Sequence, residues 1–104
     1  MVARLVYMTC GSEEEARRIG RTLVEERLAA CANVVAGMRS CYWWQGEVQE
    51  DEEAVLIAKT RAALVDRLSA RVKELHSSDV PCIVALALDG GNPDFLKWIE
   101  DQTA

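Results

Sequence analysis

The residues best suited to chemistry are four cysteines, Cys10, Cys31, Cys41 and Cys82, and a single histidine, His76. Thiolate sulfur and imidazole nitrogen are the donors that soft and borderline transition metals take, Cu(I) and Zn(II) among them. The same two groups make the nucleophile and base of thiol enzymes. No Cys-x-x-Cys pair and no His-x-x-x-His occurs, which argues against a structural zinc knot. Free cysteines also serve as small apolar fillers of cores. What these side chains can do therefore depends on which of them the fold brings together.

The periodicities divide the chain cleanly. Leu5 to Thr9 reads as a strand. Ser12 with Glu15 forms a capping box, and Ala16, Ile19, Gly20, Leu23, Val24, Arg27 and Leu28 follow at helical spacing, predicting a helix from about Glu13 to Leu28. Ala32 to Gln45 and Glu47 to Thr60 predict a hairpin turning at Gln45-Gly46, with Gly37 marking a bulge or bend. Thr60 is expected to cap a second helix whose buried stripe is Leu64, Val65, Leu68, Val72 and Leu75. Pro81 then enforces extended chain, and Cys82 to Leu88 is the fourth strand. Asn92-Pro93 is an N-cap followed by proline at the first helical position, opening a last helix through Phe95, Leu96, Trp98 and Ile99.

The resulting order is βαββαβ plus a terminal helix: an α+β, ferredoxin-like sandwich on an antiparallel sheet, with residues 1–104 forming a single domain. Its usual strand order, 4-1-3-2, sets the end of the first strand beside the start of the fourth. The C-terminus of the second helix arrives at the same edge. Cys10, His76 and Cys82 then share one end, with Met8 on the strand face of Cys10 as a thioether in reserve for copper. The alternative for His76 is a cap on the negative end of the second helix. Cys31 falls at the opposite end, where a packed thiol is its ordinary role.

Half the residues are hydrophobic and 28% are charged, the composition of a globular domain. A net charge of −5 disfavours nucleic acid and anionic membrane surfaces, both of which need a basic footprint. The apolar N-terminal stretch is short and broken by Arg4, so a secretory signal is not expected and the protein is placed in the cytoplasm. Thiols there stay reduced. Catalysis is not expected either. Cys10-Gly11-Ser12 stands before a helix, a place that can activate a thiol or bind phosphate, but Glu13, Glu14 and Glu15 fill the first turn with negative charge. RNA recognition on this strand order needs aromatics that the third strand lacks.

Two segments call for company. Ala54-Val55-Leu56-Ile57-Ala58 and Cys82 to Leu88 are apolar on both faces, and one short helix cannot cover so much sheet, which implies a closed homo-oligomer with sheets packed inward. Tyr42, Trp43 and Trp44 crowd the hairpin tip as interface anchors. The run Glu50-Asp51-Glu52-Glu53 reads as a solvated edge that discourages further pairing.

Glu26-Arg27-Leu28-Ala29-Ala30-Cys31-Ala32-Asn33, Tyr42-Trp43-Trp44-Gln45-Gly46, Lys59-Thr60, His76 with Val80-Pro81, and Gly91-Asn92-Pro93 before Leu96-Lys97-Trp98 occur in this order. Together they resemble the CutA divalent-cation tolerance family, from about Val6 to Asp101. The resemblance implies a tight homotrimer, architecturally similar to PII signalling proteins, and a link to tolerance of copper and other divalent metals. It also suggests an inter-subunit cleft in which Cys31 takes part and Glu47 faces Lys59. Lys59 would there contact an anion, or else snorkel from the end of an apolar strand.

One departure stands where metal chemistry would be sought. The family usually reads His-Pro-Tyr after the second helix, with an acidic residue following the later proline; here the chain has His76-Ser77-Ser78 and Cys82. Two functions follow as expectations: a trimeric metal-binding tolerance protein, or a PII-like sensor of small molecules or interaction scaffold acting through inter-subunit clefts.

Overall fold

The computed structural model describes residues 3–104 and orders them as β1 (Ala3–Cys10), α1 (Glu13–Glu25), β2 (Cys31–Trp44), β3 (Glu47–Arg61), α2 (Val65–Leu75), β4 (Ile83–Ala87) and α3 (Pro93–Gln102). All strand pairs are antiparallel and the sheet order is β2-β3-β1-β4, the expected plan. Alternation assigns the faces. Val6, Met8 and Cys10 of β1 and Ala54, Leu56 and Ala58 of β3 turn to the helices, where Ala16, Ile19 and Leu23 of α1 and Leu68 and Val72 of α2 complete the core.

Ser12 caps α1, its hydroxyl accepting from the Glu15 amide at 3.1 Å. Only half of the capping box forms, because the Glu15 carboxylate takes the Gly11 amide instead of that of Ser12. The helix stops at Glu25, earlier than its apolar spacing suggests. Arg27 is left-handed (φ 62°), the Leu28 amide bonds back to the Leu23 carbonyl at 2.9 Å, and that of Arg27 to Val24 at 3.1 Å. This Schellman closure satisfies the terminal carbonyls and packs Leu28 on the core.

The hairpin is as its sequence asks. Gln45 (φ 50°) and Gly46 (φ 80°) make a two-residue type I′ turn. A register shift between Val35 and Met38 contains Gly37 at φ 77°. Thr60 is no helix cap: it lies within β3, fully buried, and donates to the Leu28 carbonyl at 2.7 Å. Its hydroxyl is taken up by the connection between α1 and β2, so α2 begins without a side-chain cap through a 3₁₀ turn, Ala62–Leu64. β4 is shorter than expected and leaves Cys82 outside it. Asn92 caps α3 as predicted, accepting from the Asp94 amide at 3.0 Å.

The other face of the sheet is largely bare. α3 packs Ile99 on Ala3 and Ala30 at one end only, and Val35, Val84 and Leu86 each remain more than half exposed.

Gly20 marks where α1 presses closest on the sheet. A Cβ there would stand 2.9 Å from Leu56 Cδ1 and 3.1 Å from Ala32 Cβ. Gly20→Ala should therefore lower stability by a net of up to about 2 kcal/mol, overpacking outweighing the roughly 1 kcal/mol gained in helix propensity. A urea midpoint at or above that of the parent chain would show instead that α1 can ride outward.

Candidate functional site

β1, α1 and α2 end at one corner. Cys10 is the last residue of β1, Glu15 sits in the first turn of α1, and His76 is the C-cap of α2. One ligand atom from each lies within 4.8 Å of the others. The corner is held by side chain to backbone bonds. Glu15 Oε1 accepts from the Gly11 amide at 2.9 Å and Oε2 from the Ser77 amide at 2.8 Å. His76 Nε2 is 2.8 Å from the Thr9 carbonyl, while the Ser78 amide donates to Nδ1 at 2.9 Å. An amide donates only to an unprotonated nitrogen, so the ring carries its proton on Nε2 and gives it to Thr9.

The thiol is held neutral. Burial, then the negative charges of Glu15 and Glu53, push Cys10 up from 9.0 to about 12. Burial also pushes the Glu15 carboxyl up, but hydrogen bonds from Ser77 and Gly11 outweigh it and hold the group below its ordinary value.

The fold brings together some of the residues expected to act as donors and separates others. Cys10 and His76 come together. Cys82 is exposed and outside the cluster, on the rim of a cleft of about 800 Å³ that also meets Tyr7, Met38, Tyr42 and His76. Met8 shares the strand face of Cys10 as expected, but it is fully buried among core side chains. Glu15 was missed as a donor. Its signal was present: position N3 of a capped helix aims a carboxylate back toward the residues before the helix.

The opposite end of the sheet carries a different group. Cys31 pairs across strands with Lys59, whose Nζ is 3.8 Å from the sulfur and 2.9 Å from Asn33 Oδ1. Glu47, opposite Trp44 at the hairpin tip, lies at the far end of β3 from Lys59, so the two do not meet within one chain. The hairpin presents Trp43 at 73% exposure, and the hydroxyl of Tyr42 donates to Asp51.

Fold and corner together define a class: a ferredoxin-like sandwich with one largely uncovered sheet face and a cluster of buried sulfur, buried carboxylate and half-buried imidazole. Residues 4–102 match the family model described as CutA1 divalent ion tolerance protein. The chain is 50% identical over 99 residues to the divalent-cation tolerance protein CutA of Thermus thermophilus, covering 95% of this chain and 96% of that one. It is 44% identical over 99 residues to the chloroplastic Protein CutA 1 of Oryza sativa, spanning 95% of this chain but only 56% of that relative. The crystal structure of CutA1 from Oryza sativa superposes with a TM-score of 0.97 at 42% identity, covering 100% of this chain and 95% of that one. The chain belongs to the CutA1 divalent ion tolerance family.

Two pH limits follow from the corner. Glu15 is bound more tightly as the carboxylate, so its stabilisation is present above the ordinary carboxylate range and is lost as acid protonates the folded form. Cys10 is bound as the thiol, so its share is present below pH 9 and is lost as pH rises toward 12. Glu15→Ala, which leaves two amides unpaired, should cost about 2–4 kcal/mol in denaturant melts at pH 7, against under about 1 kcal/mol for the exposed Glu14→Ala. Equal costs would deny Glu15 its structural place.

Proposed function

We propose that the protein contributes to metal tolerance by binding a borderline divalent ion, or copper, at Cys10, Glu15 and His76, and that it does so as a homotrimer and without catalysis. The observation that carries the reading is the convergence of three ligand types within 4.8 Å at one corner. A carboxylate beside sulfur and imidazole moves the set from purely soft donors toward Zn(II) or Cu(II). An ion there must displace the Cys10 proton and release His76 from one of its two partners, so ions with weak affinity for sulfur and nitrogen would be refused. Four unpaired thiols suit a reducing compartment, which supports a cytoplasmic location.

The assembly reading rests on the bare sheet face. Val35, Val84 and Leu86 form an apolar surface that a second and third copy would cover. A small-molecule sensor is the second reading, favoured by the cleft between the hairpin and the loop from His76 to Cys82.

Calorimetric titration of reduced protein with Zn(II) and with copper tests the site. Cys10→Ser and Glu15→Gln should each weaken binding at least about tenfold, whereas Cys41→Ser/Cys82→Ser should leave it intact. Binding unchanged in the first pair and abolished in the second would move the metal to the exposed thiols. In native mass spectrometry the parent chain should be a trimer and Leu86→Asp should release monomer; a parent that is monomeric at micromolar concentration would sink the assembly.

A further inference from the structure

We propose that Cys31 and Lys59 are an oxidation-sensitive pair that closes into a reversible covalent sulfur–nitrogen cross-link between β2 and β3. The two residues are direct cross-strand partners, a relation that holds Cβ atoms about 4.5–5.5 Å apart. Lys59 Nζ already stands 3.8 Å from Cys31 Sγ, and Asn33 Oδ1 keeps it there at 2.9 Å. Within its own chain, among the described residues, Lys59 has no carboxylate partner. The backbone beneath is clamped as well: the Ala30 amide donates to the Lys59 carbonyl at 2.9 Å, and the Thr60 hydroxyl to that of Leu28 at 2.7 Å.

The other thiols lack this arrangement. Cys10 is buried beside Glu15, away from any amine among the described residues. Cys41 and Cys82 are exposed, and among the described residues no amine is hydrogen-bonded to either. Within one chain Cys31 and Lys59 are both half-buried, Asn33 is exposed and β2 is the edge strand, so in the proposed trimer the pair would line the cleft between copies, where a hydroperoxide can enter while bulk water does not surround it.

The co-reactant is a hydroperoxide. Cys31 sulfur attacks one peroxide oxygen; the O–O bond breaks and an S–O bond forms. Sulfur is oxidised by two electrons to the sulfenic acid, the peroxide is reduced, and the thiol proton leaves on the second oxygen as water when the oxidant is hydrogen peroxide. The ammonium of Lys59 favours this step by stabilising negative charge on the attacking sulfur. Lys59 then yields a proton to solvent and its Nζ attacks the sulfenic sulfur. The S–N bond forms as the S–O bond breaks and the oxygen leaves as water, a condensation that is redox-neutral. Its net result is two hydrogens lost, one cation erased from the open sheet face, and β2 tied to β3. An external thiol reverses the link by attacking sulfur and releasing the amine.

The test uses the full chain carrying Cys41→Ser/Cys82→Ser, treated with hydrogen peroxide and read by intact mass and tryptic mapping. The expected product is lighter by two hydrogens, joins the peptides containing Cys31 and Lys59, and returns to its starting mass with dithiothreitol. Adding Lys59→Arg, which keeps the charge, should abolish the cross-link and leave a Cys31 sulfenic acid that dimedone traps. Cys31 oxidised to sulfenic or sulfinic acid beside a free Lys59 amine would overturn the proposal. So would a Cys31 that stays reduced at peroxide doses that oxidise Cys41 and Cys82 in the parent chain.

Discussion

Glu15 accepts one hydrogen bond from Gly11, four residues before it, and another from Ser77, 62 residues after it, and through these it fastens the end of β1 to the loop that follows α2. A buried carboxylate is tolerated only where its charge is met, and here two amides and the N-terminal dipole of α1 meet it. Its neighbours inherit the consequences. Burial, with that fixed negative charge alongside, keeps Cys10 a thiol, and His76, set by the same loop, has its proton placed on Nε2 by Thr9 and Ser78. The corner is a closed hydrogen-bonded network before it is a ligand set, and any ion that enters must compete with it.

The uncovered sheet face is the second constraint. A strand buried on both sides reads as a continuous apolar run, and β3 and β4 read so although α1 and α2 cover only one side. α3 relieves this at the Ala3 end and no further. The long hairpin adds to the surplus of surface, stretching the chain to 44 Å along its main axis and ending in the largely exposed Trp43. Such surfaces are stable in water when copies of the chain share them.

Most of the fold was legible because its signals are local. Alternation gave the strands, Asn92-Pro93 and Ser12 gave helix starts, and Gln45-Gly46 gave the turn, each through backbone chemistry that needs no distant partner. The misreadings share a cause. Thr60 has the residue type of a cap, yet a carbonyl offered by Leu28 from another part of the chain decides its role. The apolar spacing of α1 runs on to Leu28, yet Arg27 turns left-handed and Leu28 reaches the core from outside the helix. At the site, topology brought Cys10 and His76 to one corner, whereas the contribution of Glu15 depends on where the Ser77 amide lands. Cys82 lies apart from Cys10 because the β4 register pairs Ile83 with Met8 on the helix face, which turns the neighbouring Cys82 to the other side, where it is exposed.

Two thiols at opposite ends of one sheet show how far placement governs chemistry. Cys10 ends β1 on the helix side, where burial and carboxylates hold its proton; Cys31 begins β2 on the open side, next to the ammonium of Lys59. The antiparallel register fixes this contrast, because pairing Cys10 with Ala54 and Cys31 with Lys59 sets the two positions an odd number of residues apart along β3 and so turns them to opposite faces. A shift of the β2–β3 register by a single residue would turn Cys31 toward the helices and away from Lys59. The turn at Gly46 and the bulge at Gly37, both at positive φ, are what hold that register. Residues with no chemistry of their own thereby decide which cysteine keeps its proton and which is left within reach of an amine.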